Sequence, residues 1–110
     1  MPSNNSESLF TDALWVKSDR EELSETERSE AKKRLADDIV RRIQKSGECH
    51  LRCLGARSLY KAVLALTLAR GIFTTCGDEL CWLTHFISCN GGGKTMTGIG
   101  IIAVSGESRG

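Results

Sequence analysis

The sequence predicts an α+β two-layer sandwich of order β-α-β-α-β-β, with two helices on one face of a four-stranded mixed sheet. Three observations carry that expectation. Apolar residues recur at helical spacing from Ala31 to Ile43, an Ala/Leu-rich helical run follows from Leu59 to Arg70, and two β-rich runs flank a glycine cluster near the end. At 110 residues the chain is one domain, near the lower end of sizes that bury a sizeable core without staples. We read residues 1–12 as a disordered tail, 13–105 as the domain and 106–110 as a flexible C-terminal tail.

Ala13-Leu14-Trp15-Val16 is a short apolar run, a first strand. Two overlapping capping boxes follow, Ser18…Glu21 and Ser24…Glu27. The second is better placed, because the apolar face of Ala31, Leu35, Ala36, Ile39, Val40 and Ile43 begins soon after it. Gly47 ends that helix as a left-handed cap. Cys49 to Leu54 alternates, with Cys49, Leu51 and Cys53 on one side, and is closed by Gly55. The helix from Leu59 to Arg70 is apolar nearly all round, so it is buried on more than one side, and Gly71 and Gly77-Asp78 bracket the connection after it. Leu80–Ile87 and Thr97–Val104 are then strands joined through Asn90-Gly91-Gly92-Gly93. Both strands are apolar on both faces. Helices cover one, so a partner subunit is expected over part of the other.

The net charge of +1 conceals an asymmetry: residues 1–30 hold eight acids and three bases, residues 31–110 six acids and twelve bases. A basic body suits an anionic partner such as nucleic acid. Residues 1–10 lack the basic start and apolar run of a secretory leader, and the five cysteines are odd in number. Reduced thiols in a cytoplasmic compartment, or a nuclear one in a eukaryote, are therefore expected. The most apolar stretch, Ala62–Ala69, is far shorter than the ~20 residues of a bilayer span, so no membrane partner is expected.

Several motifs invite a chemical reading and fail on context. Gly93-Lys94-Thr95 suggests a P-loop, yet Ser88 stands where its first glycine belongs and a strand pattern, not a helix, follows Thr95. Cys76, Cys81, His85 and Cys89 have the order of a zinc knuckle. On a strand, however, Cys81 and Cys89 lie about 26 Å apart, and zinc ligands must converge within a few ångströms. Cysteine–histidine pairs, Cys49/His50 and Cys81/His85, lack an orienting third group. The carboxylates Asp37-Asp38 sit at i,i+4 spacing from Arg34, Arg41 and Arg42, which makes surface ion pairs the simpler account. No catalysis, metal, cofactor or small-molecule substrate is expected.

The basic residues are informative by position. Lys17 and Arg20 follow the first strand, Arg57 and Lys61 lie where the second strand turns into the second helix, and Asn90 and Lys94 flank the hairpin. Loops with Lys, Arg and backbone amides grip phosphates without reading bases. The competing reading is a protein-interaction module, in which the apolar strands and second helix serve association and the cations only confer solubility.

From Gln44 to Val104 the chain resembles the bacterial stage V sporulation protein S family, on Gly47, Gly55-Ala56, Leu59, Ala62-Val63, Ala69-Arg70-Gly71, Phe73 and Gly77. That family is similar in fold to the archaeal Alba chromatin proteins, whose pattern Lys61-Ala62-Val63 also matches. The resemblance implies an Alba-like fold, a homodimer, and a non-enzymatic regulatory protein that binds DNA or RNA. It carries nucleic-acid contacts onto Lys17 with Arg20, Arg57 with Lys61, and Asn90 with Lys94. In place of the adjacent lysines typical of the first Alba loop, this chain has "KSDREE", whose Asp19, Glu21 and Glu22 repel phosphate.

Overall fold

The computed structural model of the chain describes residues 13–19, 22–91 and 93–107. The predicted N-terminal tail, together with Arg20, Glu21 and residues 108–110, lies outside them. The elements are β1 (Leu14–Val16), α1 (Glu25–Ser46), β2 (Glu48–Cys53), α2 (Ala56–Thr75), β3 (Asp78–Gly91) and β4 (Lys94–Glu107). The sheet runs β1-β2-β4-β3, with β1 parallel to β2 and the other neighbours antiparallel. This is the predicted mixed four-stranded α+β sandwich.

Local chemistry sets the limits of α1. Ser24 Oγ accepts from the Glu27 amide at 3.2 Å while the Glu27 carboxylate returns to the Ser24 amide at 3.4 Å, a complete capping box. At the other end Gly47, at φ 88°, donates its amide to the Ile43 carbonyl at 2.7 Å. Replacing Ser24 with Ala removes the cap and is expected to cost ~1 kcal/mol, read as a lower urea midpoint at an unchanged slope. On the exposed face Asp38 pairs with Arg41 at 2.6 Å, at three residues' spacing rather than the four that the sequence favours.

Ala36, Ile39, Val40 and Ile43 of α1 and Ala62, Ala65, Leu66, Ala69 and Phe73 of α2 are buried against one face of the sheet. That face presents Val16, Cys49, Leu51, Cys53, Ile101 and Ala103, all buried. Register explains the choice: Cys49, Leu51 and Cys53 pair with Ala103, Ile101 and Ile99, and paired residues share a face. The side away from the helices carries Trp15, Leu83, Met96 and Val104, each at least two-fifths exposed.

Several boundaries differ from the sequence reading, α2 beginning at Ala56 rather than Leu59 among them. α2 does not stop at Arg70 but passes through Gly71 to Thr75, leaving only Cys76-Gly77 before β3. An interior glycine costs a helix ~1 kcal/mol. Burial of Phe73, at 5% exposure, and the Arg70–Glu79 ion pair at 2.7 Å offset that cost. The same pair, with the Leu80 amide, holds the Glu79 carboxyl below its ordinary range. β3 and β4 are longer than the apolar runs suggest and pair without interruption from Asp78–Glu107 to Gly91–Lys94. Polar residues such as Ser88 and Thr95 belong to the ladder, because its hydrogen bonds come from the backbone. β4 therefore includes Gly106 and Glu107, which the sequence reading assigns to the C-terminal tail.

Candidate nucleic-acid interface

The ends of three strands meet at one edge of the sheet. β1 and β2 finish side by side, with Val16 opposite Cys53, and Cys53 lies opposite Ile99 of β4. Beyond Ile99 the β4 segment Lys94–Gly98 pairs with β3 alone. The hairpin thus overhangs the sheet by about 17 Å at ~3.3 Å per residue. Its turn closes between Gly91 and Lys94, and Gly93 takes φ 77°, a left-handed value that glycine tolerates. Near the tip, Thr95 Oγ1 donates to Asn90 Oδ1 at 3.0 Å across the strands, and Lys94 is exposed. Lys94 is followed by a strand, so no helix N-terminus faces Gly93-Lys94-Thr95.

Where the hairpin leaves the sheet, the chain of β2 turns over it. A Cβ on Gly98 would stand 2.5 Å from the Cys53 carbonyl oxygen and 2.7 Å from Leu54 Cδ2. Glycine is required there by a close backbone approach, not by its φ.

At the same edge α2 begins. Gly55 serves as N-cap at φ 90°, and buried Ser58 donates its hydroxyl to the Leu54 carbonyl at 2.7 Å. That bond orients the first turn, and with it Arg57, Tyr60 and Lys61. Lys61 Nζ donates to Asp19 Oδ1 at 2.8 Å and to the Lys17 carbonyl at 3.0 Å. Both side chains of the Lys61–Asp19 pair are only 16% exposed. Lys61 therefore pins the β1–α1 connection to α2, and its charge is compensated locally.

Asp19, Arg28, Lys32, Arg57, Tyr60 and Lys61 line a cleft of about 320 Å³. Arg28 and Lys32 project from one side of α1, one helical turn apart, while Arg57, Tyr60 and Lys61 come from the start of α2. Among the described residues, four cations and one carboxylate line it. The positive ends of both helix dipoles reinforce the field.

Of the sequence-predicted residues, Arg57 and Lys61 thus line one cleft with Asp19, Lys17 joins through its backbone carbonyl alone, and Asn90 and Lys94 sit farther out on the arm. Arg20 lies outside the described residues. Arg28, Lys32 and Tyr60 escape the sequence reading. Their only linear signal is a basic pair at i,i+4 and an aromatic one turn after Arg57, and the contact between the two groups is long-range.

The cysteines divide into two kinds. Cys49 and Cys53 are buried, and desolvation pushes each thiol up from 9.0 to about 11; for Cys49, Arg42 pulls downward and Asp38 upward as smaller effects. Cys76 and Cys81 are exposed. Cys81, His85 and Cys89 are strung along β3, and among the described residues no three His, Cys, Asp or Glu side chains gather as metal ligands. No helix among these residues is long and apolar enough to cross a membrane.

No curated protein sequence matches the chain. The family described as stage V sporulation protein S matches residues 23–106, a span from the capping box of α1 to the end of β4 and wider than the resemblance read from Gln44 onward. Covering most of the chain and every element except β1, that match means that the chain belongs to the stage V sporulation protein S family.

Proposed function

We propose that the protein is a non-enzymatic, nucleic-acid-binding regulator that works as a homodimer. It grips phosphates with the β1–α1 connection, the start of α2 and the hairpin arm. One observation carries the reading: cations of the cleft and the overhanging hairpin with Lys94 leave the sheet at a single edge. Cations so placed can follow a phosphate backbone without contacting bases. The family's name refers to sporulation, which supports a regulatory role. The exposed side chains of Trp15, Leu83 and Val104 on the helix-free face, with Leu68 and Ile72 on α2, support association with a second copy.

Arg57 and Lys94 are the residues to test, one from the cleft and one from the arm, whereas loss of Lys61 would release Asp19. Reversing both to Glu is expected to raise Kd for DNA or RNA about tenfold at low salt, and to reduce the salt slope by about one for each phosphate contact removed. Sedimentation of the same protein should give twice the chain mass. No binding to any nucleic acid at low salt, or binding indifferent to both substitutions, sinks the reading. The favoured alternative would then be the protein-interaction module, which the exposed apolar residues also suit.

A further inference from the structure

We propose that β3 is the seam of the dimer: it pairs antiparallel with β3 of a second copy, about a two-fold axis at Leu83, to give one eight-stranded sheet. This rests on the homodimer reading above and names the surface that makes it.

Among the described residues β3 has one ladder partner, β4, so its other side offers a row of backbone donors and acceptors. Edge strands are ordinarily guarded by lysine, proline, a bulge or shortness. β3 has none of these. It runs 14 residues in unbroken register with β4, and from Leu80 to Asn90 it carries no proline and no Asp, Glu, Lys or Arg. The opposite edge, β1, is only 3 residues long. An unguarded edge of this length is a template for strand addition.

The occupant follows from the strand's own sequence. Pairing about Leu83 sets Leu80 against Phe86 of the second copy, Cys81 against its His85 and Trp82 against its Thr84. Phe86 is 80% exposed, although it shares the helix-covered face of β3 with buried Leu80 and partly buried Trp82. Within one chain its ring borders only a groove of about 220 Å³ beside Gly55, Ala56 and Leu59. Across the axis it lies opposite Leu80 and diagonal to Trp82, within reach of an aromatic contact, and symmetry makes that contact twice.

The helix layer continues the match. Leu59 at the groove and Arg70, bound to Glu79, mark the flank of α2 above β3, and exposed Val63 stands between them at helical spacing. The acids Asp78 and Glu79 fall opposite Ser88 and Ile87, so no like charges are opposed. The paired span, residues 78–88, is about 36 Å long, and one helix layer on one sheet layer is about 20 Å deep. Such a contact approaches the ~800 Å² that a stable interface takes from each partner. Beyond Ser88 the two arms leave opposite ends of the sheet, which sets their tips about 50 Å apart.

The test is sedimentation equilibrium of the full chain with substitutions on two surfaces. Phe86→Glu is expected to raise the dimer dissociation constant at least tenfold. Its circular dichroism should match wild type, because the ring is exposed in the single chain. Val104→Glu, on the helix-free face, should change the constant less than about twofold. Leu83→Cys, combined with Cys76→Ser, Cys81→Ser and Cys89→Ser, should form an interchain disulfide under mild oxidation, since residues facing each other at the axis have Cα atoms about 4.5–5.5 Å apart. Val104→Cys in the same background should not.

A dimer that survives Phe86→Glu, or that forms no disulfide through Leu83→Cys, overturns the β3 seam and leaves the homodimer reading standing. Dissociation by Val104→Glu alone overturns it likewise and moves the contact to the helix-free face. A wild-type chain that stays monomeric at high micromolar concentration overturns the seam and the homodimer together, while nucleic-acid binding is decided separately by the Arg57 and Lys94 substitutions.

Discussion

Raising the pH from 9 to 11 is expected to destabilise the fold by about 4 kcal/mol through two buried thiols, Cys49 and Cys53. Both sit on β2 at the centre of the helix-covered face, at 2% and 1% exposure. Burial penalises the thiolate and raises each folded pKa to about 11 from 9.0. Between those values the folded chain keeps protons that the unfolded chain has released. Stability is therefore full below pH 9, falls as the pH rises through the window, and levels off above 11. Each thiol contributes about 2–3 kcal/mol, since every tenfold difference in proton affinity between the folded and unfolded chain is worth ~1.4 kcal/mol.

Urea unfolding under reducing conditions across this range measures the effect, with the Cys49→Ala/Cys53→Ala double variant as reference. The variant begins less stable, because two small cavities open, but loses less with alkali. All other groups are shared by both proteins and drop out of the difference. Equal losses in the two proteins would refute the assignment.

Gly98→Ala is expected to cost about 2–3 kcal/mol, although alanine usually suits a strand better than glycine does. The added methyl would meet the Cys53 carbonyl oxygen at 2.5 Å, and backbone yields less readily than the end of a side chain. Relief requires β4 to move away from the end of β2, the place where the hairpin departs. The arm should therefore shift along with the loss of stability. Two glycines of the same strand serve as controls. A Cβ on Gly106 meets nothing within 4 Å, so Gly106→Ala should be neutral or slightly stabilising. At Gly100 the clash is with the exposed His85 ring, at 2.5 Å from Cε1, and with Ile87, so the outcome should fall between the two. A denaturation series that ranks the three otherwise would refute the close-approach account.

The Lys61–Asp19 pair changes how the acidic first loop is understood. In the sequence, Asp19 reads as a repulsive charge beside Lys17. In the fold it is held at 2.8 Å by Lys61, and the same ammonium takes the Lys17 carbonyl. The charge that looked harmful to binding holds Asp19 against the start of α2. Lys61 positions; Arg57, Lys32 and Arg28 line the cleft beside it.

Features governed by near neighbours were legible in the chain itself. The Ser24…Glu27 box and Gly47 delimit α1, because capping bonds join residues three or four apart. The alternation of Cys49, Leu51 and Cys53 marks the covered face of β2, because a strand repeats every two residues. Gly71 misleads for the complementary reason: its local cost is outweighed by the contacts of Phe73 and the Arg70–Glu79 pair, which exist only once the helix meets the sheet.

The sequence alone thus determined the order of elements, the limits of α1, the buried face of β2 and the basic character of the loops, since each follows from periodicity or from side chains within a helical turn. Tertiary structure alone decided how far α2 and the last two strands run, that Lys61 is compensated, and that Arg28 and Lys32 face Arg57 and Tyr60 across one cleft. The two halves of that cleft are about thirty residues apart in the chain, and only the packing of both helices on a common sheet brings them together.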